Sequence, residues 1–267
     1  MKKNIFITGS TDGIGKLTAL NLAKKGHQLF IHGRNSEKVF NTVNELKKTS
    51  NNENIFGFTA DFSNLNQVID LAKSIKKEVK NIDVLINNAG IFKSSDKIDV
   101  NLDVRFVVNY LAPYTFTEHL IPILKKSTSP RIINLSSAAQ TSVDLEALKG
   151  NASLSTQESY AQSKLALTMW SFNLAKIEKD ITVIAVNPGS LLNTKMVKEA
   201  YGNHWSSADK GANILTDLAL SENITELSGS YFDNDRGSFG RAHNDAYDQQ
   251  KTETLIRTTE ELLASII

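Results

Sequence analysis

Short apolar runs alternate with longer stretches of helical periodicity from one end of the chain to the other. The runs fall at residues 4–8, 28–32, 55–60, 83–87, 131–135, 182–187 and 230–232, and each predicts a strand. Between them, residues 15–25, 65–80, 107–125 and 160–178 repeat their apolar positions at the spacing of one helix face, which predicts helices. Strands that alternate with helices pair in parallel through right-handed crossovers. The expected fold class is therefore α/β, a doubly wound parallel sheet with helices on both faces. No internal repeat or low-complexity linker marks a boundary, and 267 residues suffice for one sizeable core but are short for two full domains. A single domain over residues 1–267 is the expectation. Two stretches break the rhythm. Residues 141–159, polar with a helix-like patch at 145–149, read as an insertion beside the functional site, and residues 190–207, irregular after a strand end, read as a lid.

Two helical stretches carry more apolar side chains than one stripe requires. In the first these are Val107, Val108, Leu111, Tyr114, Phe116, Leu120, Ile121 and Leu124; in the second, Leu165, Leu167, Met169, Trp170, Phe172, Leu174 and Ile177. A helix resting on a sheet needs only one apolar stripe, so neighbouring helices, a loop or a second subunit must cover the surplus.

Composition narrows the function by exclusion. The 30 basic and 29 acidic residues are interspersed and leave a net charge of +1, which gives no electrostatic support for binding nucleic acid or an acidic membrane. There are no cysteines, which removes disulfides, thiolate catalysis and cysteine-based zinc sites together. The histidines show no metal-ligand spacing; His32 reads as a strand end and His119 as a helix surface. No segment approaches the roughly 20 apolar residues of a membrane span. The N-terminal apolar run is too short for a secretory signal and leads straight into a glycine turn, so it reads as a first strand. A soluble, cytoplasmic protein without a membrane or nucleic-acid partner is expected.

The candidate chemistry begins at that turn, Thr8-Gly9-Ser10-Thr11-Asp12-Gly13-Ile14-Gly15. A strand that opens into a helix through glycines aims backbone N–H groups and the positive helix end at a pyrophosphate, although such a turn can also be only a tight connection. About 20 residues further on, where a dinucleotide's adenosine ribose is read, stands His32-Gly33-Arg34-Asn35. Gly33 occupies the place of a ribose-binding carboxylate, and the Arg34 guanidinium suits a 2′-phosphate. NADP(H) is therefore favoured over NAD(H), against the plainer reading of a solvated surface arginine.

Later, the apolar run at 131–135 ends in Ser136-Ser137, and Tyr160 precedes Lys164 by four residues. A tyrosine near its ordinary pKa of about 10 is a poor base at neutral pH; moving it towards 7 takes about 4 kcal/mol. Lys164, one helical turn on, can supply part of this through its ammonium charge.

In order and spacing, the Gly9/Gly13/Gly15 turn, the Ser136-Ser137 pair and Tyr160-x-x-x-Lys164 resemble the short-chain dehydrogenase/reductase family, from about Lys3 to the last helix. The 23 residues from Ser137 to Tyr160 and the later Gly229-Ser230-Tyr231-Phe232 look most like its retinol-dehydrogenase-like and protochlorophyllide-reductase-like branch. The resemblance implies a Rossmann fold and hydride transfer between a nicotinamide cofactor and an aldehyde, ketone or matching alcohol. It implies Tyr160 as general acid/base, Lys164 lowering its pKa and holding the nicotinamide ribose, Ser137 as donor to the substrate oxygen, and Asn109 holding a proton-relay water. An asparagine within an apolar helix is also expected to face the site or solvent.

For the cofactor, the resemblance implies Gly9, Ser10, Thr11, Asp12, Gly13, Ile14 and Gly15 around the phosphates, with Arg34 and Asn35 at the adenosine ribose. It implies Asp61 and Phe62 at the adenine, unless Asp61 or Ser63 only caps the following helix. Asn88, Ala89 and Gly90 would line the ribose while Asn87 braces strands, and Pro188, Gly189, Leu191 and Thr194 would lie at the nicotinamide. The family's threonine falls at Asn193 here, which leaves Thr194 one residue late. Relatives commonly pair through the two apolar helices named above, so a homodimer is expected, with a monomer capped by residues 141–159 as the alternative. Two further functions compete. A redox sensor that binds NADP(H) without catalysis would need none of Asn109, Ser137, Tyr160 and Lys164, and a nucleotide-sugar epimerase would bring a different glycine spacing and a larger C-terminal domain.

Overall fold

The computed structural model of the protein describes residues 1–93, 101–222 and 224–267. Its first half lays down β1 (Asn4–Ile7), α1 (Gly13–Lys24), β2 (Gln28–Gly33), α2 (Ser36–Ser50), β3 (Ile55–Thr59), α3 (Leu65–Glu78) and β4 (Val84–Asn87). A short α4 (Val104–Phe106) runs through a π-helical turn, Val107–Leu111, into α5 (Ala112–Leu124), followed by β5 (Arg131–Leu135) and α6 (Leu145–Leu148). The remainder is α7 (Thr156–Ile177), β6 (Thr182–Asn187), α8 (Lys195–Tyr201), α9 (Ala208–Leu220), β7 (Ser230–Asp233), β8 (Ser238–Gly240) and α10 (Gln249–Ile266).

The strands form one sheet in the order β3-β2-β1-β4-β5-β6-β7-β8, parallel throughout except for the last pair. This is the expected doubly wound sheet with an eighth, antiparallel edge strand added. The order reverses between β1 and β4, which opens a crevice at the strands' C-terminal ends where such folds bind ligands. Central strands are buried over their whole length. Parallel strands covered on both faces present continuous apolar runs, which is why they could be read from the chain.

Two apolar cores flank the sheet. One joins Ile5, Ile7, Leu29 and Ile31 to α1 and α9. The other joins Phe6, Phe30, Leu85 and Ile132 to α3, α5 and α7. The surplus apolar faces of α5 and α7 are covered inside the chain. Leu255 and Leu263 of α10 join that second core, and Tyr110 and Tyr114 meet Thr259 and Glu260 of α10 at 2.8 and 3.4 Å. Of the surplus side chains only Ile121 is partly and Ile177 largely exposed. Sequence reasoning did not single out α10, whose buried positions are mostly threonine.

The two irregular stretches are more ordered than their composition suggested. Residues 141–159 contain α6 and reach α7 through Asp144 N, which donates to Gln162 Oε1 at 2.8 Å. Residues 190–207 contain α8, started by the Thr194 side chain and stopped by Gly202 in the left-handed region. Among the described residues no helix is long and apolar enough to cross a membrane, and no cluster of His, Cys, Asp or Glu could hold a metal.

Candidate active site

A cavity of about 400 Å³ runs along the C-terminal ends of β1, β2, β4, β5 and β6. The Asp12 side chain accepts from Gly13 N and starts α1, while Gly9 and Gly13 adopt φ of +61° and +51°, a region open to glycine at little cost. Among the described residues nothing accepts from the N–H groups of Ile14 and Gly15, so the first turn of α1 presents free donors to the cavity. A Cβ at Gly13 would enter the gap towards Thr194, 3.7 Å away. Free donors and bare backbone at a helix N-terminus fit a pyrophosphate.

Near the end of β2, where the adenosine is expected, Arg34, Asp61 and Phe62 line the cavity. Lys38, on the first turn of α2, lies on the same rim with its Nζ 2.9 Å from Asp12 Oδ2, holding that carboxyl below its usual pKa. Sequence reasoning missed this second cation, although its place four residues after Arg34 was a usable signal. Asn35 faces away from the main cavity; its side chain accepts from Lys38 N and caps α2. Neither Asp61 nor Ser63 caps α3, as Asn64 does so, and Asp61 Oδ1 instead accepts from Ser63 N and Oγ at 2.9 and 2.8 Å.

His32, read as a mere strand end, sits inside this region. It is 2% exposed, takes the Gly9 N–H on Nδ1 at 3.2 Å and approaches Ala60 O with Nε2 at 3.0 Å. Burial pushes its pKa down to about 4, so the ring is neutral at physiological pH. Ser10 lies beneath the turn, where its Oγ donates to Ile7 O at 2.8 Å and accepts from His32 N at 2.9 Å. It braces the turn and does not line the cavity.

Across the crevice, Thr8 Oγ1 accepts from Asn88 N and Ala89 N, and Asn88 Nδ2 donates to the carbonyls of Thr8 and Gly9. Asn88, Ala89 and Gly90 all line the cavity. Asn87 lies behind them and spans to Asn134 and Thr117 at 2.8 and 3.0 Å.

The reactive end is built on α7. A reciprocal capping box between Ser155 and Glu158 fixes where that helix starts and hence its register. Tyr160 and Lys164, one turn apart, both reach the cavity, with Lys164 Nζ 5.7 Å from the Tyr160 ring centre. Phe92 packs on the other side of the tyrosine at 5.0 Å. Lys164 is 4% exposed and donates to Leu135 O at 2.8 Å. Desolvation lowers its pKa to about 8.

Ser137 also lines the cavity, and its Oγ accepts from Ala139 N at 3.1 Å, which leaves its proton for a ligand. Its carbonyl is gripped by Tyr231 Oη and Gln140 Nε2 at 2.9 and 2.8 Å. Burial pushes the Tyr231 hydroxyl pKa up and keeps it a donor.

Asn109 departs from expectation, for it is buried and does not line the cavity. The π-helical turn swings its carboxamide onto the loop after β4, where Oδ1 accepts from Ile91 N and Nδ2 donates to Ile91 O and Ser163 Oγ. An inserted residue of this kind often marks a functional site. Here it fixes the Gly90–Ile91 wall. A Cβ at Gly90 would lie 3.3 Å from Asn109 Oδ1 and 3.4 Å from Lys164 Nζ.

Pro188, Gly189 and Thr194 line the cavity, but Leu191 does not. With φ of +48° the Leu191 backbone turns to hydrogen-bond Trp205 N, and Leu192 takes the wall position instead. Thr194 Oγ1 accepts from Val197 N as the cap of α8. Ile91, Val104, Val108, Leu192, Met196 and Val197 also line the cavity and make that part of it apolar.

Comparison with known proteins agrees with this geometry. Residues 3–204 match the family described as short chain dehydrogenase. Human retinol dehydrogenase 13 is 30% identical over 252 residues, covering 86% of this chain and 76% of that protein. A Mycobacterium paratuberculosis protein of known structure superposes with a TM-score of 0.78 at 23% identity, over 97% of this chain and 92% of its own. An Escherichia coli protein solved in complex with NADPH gives 0.72 at 23% identity, over 87% and 96%.

Proposed function

This chain belongs to the short-chain dehydrogenase family, and from that premise we propose that it is an NADP(H)-dependent oxidoreductase acting on an aldehyde, a ketone or the matching alcohol. The observation that carries the reading is the meeting of Tyr160, Ser137 and the buried Lys164 on one wall of a cavity whose far end is the glycine turn. When bound there, the nicotinamide supplies or accepts the hydride.

The protein's share is the substrate oxygen. Ser137 Oγ donates a hydrogen bond to it, which favours the developing alkoxide. Tyr160 gives that oxygen its proton in reduction and removes it in oxidation. A cationic Lys164 on the same helix face stabilises the tyrosinate that results, and Leu135 O holds the ammonium in place. Gln140 and Tyr231 keep the Ser137 loop from moving as charge develops. The apolar part of the cavity suits a substrate whose body is apolar. A panel of apolar and polar carbonyl compounds, followed by absorbance of the reduced cofactor, tests the assignment. No turnover on any of them would leave a non-catalytic NADP(H) sensor as the better description.

The cofactor preference rests on Arg34 at the cavity rim, Lys38 beside it, and a glycine at position 33 where a carboxylate would repel a 2′-phosphate. A Cβ at Gly33 would sit 2.7 Å from the Thr11 side chain, so a larger residue here would require that side chain to move. The E. coli fold relative in complex with NADPH points the same way. Arg34→Ala is expected to weaken NADPH by about tenfold or more and leave NADH nearly unchanged, the loss of one charge-assisted contact. Fluorescence titration measures both, and tighter NADH binding by the unaltered protein would refute the preference.

Association follows from α10. Because this helix and its contacts to Tyr110 and Tyr114 cover the surplus apolar faces of α5 and α7, a monomer is the expected state. Light scattering at micromolar concentration should give a mass near the 29.5 kDa of one chain. Twice that value would return the homodimer read from the apolar surplus.

A further inference from the structure

His32 is a buried, potentially reactive group that the proposed chemistry does not use, yet it makes more contacts with the glycine turn than any other residue of β2. Its main chain pairs with Ser10 in both directions, N to Ser10 Oγ at 2.9 Å and O from Ser10 N at 2.8 Å. Its side chain adds a bond to the turn itself, from Gly9 N to Nδ1 at 3.2 Å.

The tautomer follows from the partners. A backbone N–H can only donate, so Nδ1 is bare, and a backbone carbonyl can only accept, so Nε2 carries the proton towards Ala60 O. One neutral ring thus ties together the C-terminal ends of three parallel strands, β1 through Gly9, β2 through its own backbone and β3 through Ala60. Phe62 packs against it in a tilted contact, ring centres 4.4 Å apart.

The Gly9 peptide is held from both sides, since Asn88 Nδ2 donates to its carbonyl at 2.9 Å. With its N–H committed inward, Gly9 lines the cavity but offers a ligand no N–H donor. Its left-handed backbone, φ +61°, then sets the direction in which the chain enters α1, whose Ile14 and Gly15 line the cavity with N–H groups that no described residue accepts from.

We propose that His32 is a positioning residue for cofactor binding: its neutral imidazole locks Gly9 so that the first turn of α1 is aimed at the pyrophosphate. The inference rests on the dinucleotide reading of the cavity. An aliphatic residue in its place would fill the space but leave the Gly9 N–H buried without an acceptor, free to pull the turn into another shape.

Two substitutions separate the lock from mere filling. His32→Asn keeps an acceptor where Nδ1 stands, and His32→Gln keeps a donor where Nε2 stands but removes the acceptor. NADPH titration by fluorescence should show His32→Gln weakened about tenfold or more, and His32→Asn recovered to within about threefold of the unaltered protein. If His32→Gln binds as tightly as the unaltered protein, or both variants weaken alike, the lock is refuted while the cofactor reading survives. If the unaltered protein binds neither NADPH nor NADH, the cofactor reading falls and takes this inference with it. Nitrogen NMR of the cofactor-free protein gives an independent readout that needs no variant to fold. It should show His32 in the Nε2–H form with a hydrogen-bond coupling from the Gly9 amide to Nδ1; a proton on Nδ1 would overturn the proposal.

Discussion

Tyr160→Phe is expected to lower turnover on any accepted carbonyl by about a hundredfold to ten-thousandfold, the usual contribution of a positioned acid or base, while NADPH affinity stays nearly intact. The substitution keeps the aromatic ring and its packing contacts. Phe92 packs against it in a tilted contact and the Lys164 ammonium lies over the ring at 5.7 Å. Only the transferable proton is removed. The split between turnover and affinity is what identifies the tyrosine as an acid or base, since a variant that disturbed the cavity would lose both. Steady-state rates with a fluorescence titration decide the matter, and retention of most of the original rate would show that the proton comes from elsewhere.

Replacing Lys164 by Met should abolish most activity and yet stabilise the fold. Burial lowers the pKa of Lys164 from its ordinary 10.5 to about 8, so the unfolded chain holds this proton more tightly than the folded one. Below about pH 8 both states are protonated and the whole cost of burying the ammonium is present. Between about pH 8 and 10.5 the folded state releases its proton first, so this part of the stability rises with pH, and above 10.5 the cost is gone. The depression corresponds to about 3 kcal/mol, from which a methionine forfeits the hydrogen bond to Leu135 O, worth about 1–2 kcal/mol. A net gain of about 1–2 kcal/mol at pH 7 is expected, with a flatter stability profile between pH 8 and 10. Urea unfolding across that range measures it. A variant less stable than the unaltered protein at pH 7 would mean that the ammonium is better compensated than its single carbonyl partner suggests.

How much could be read from the chain depended on the range of the interactions involved. The central strands were legible because a strand buried on both faces must be apolar at every position, as β5 and β6 are. The edge strand β8 was not, because its three residues are largely exposed and carry no such pattern. The pairing of Tyr160 with Lys164 was legible because helix geometry places residues four apart on one face. Asn109 was found as a residue but misplaced, since nothing local announces a π-helical turn that rotates one side chain off the cavity wall. Leu191 was likewise one residue from the wall position that Leu192 holds, because an irregular loop has no period from which to read its facing.

By itself the sequence determined the α/β alternation, the family and the order of the chemical groups, all of which rest on residue type and on order and spacing along the chain. Tertiary structure alone decided how those groups are held: His32 beneath Gly9, Tyr231 on the Ser137 carbonyl, and α10 over the faces of α5 and α7. The physical reason is common to all three. Each joins residues far apart in the chain, and each depends on the direction of one donor or acceptor or on the cover of one apolar face, which residue type and spacing leave open until the chain has packed.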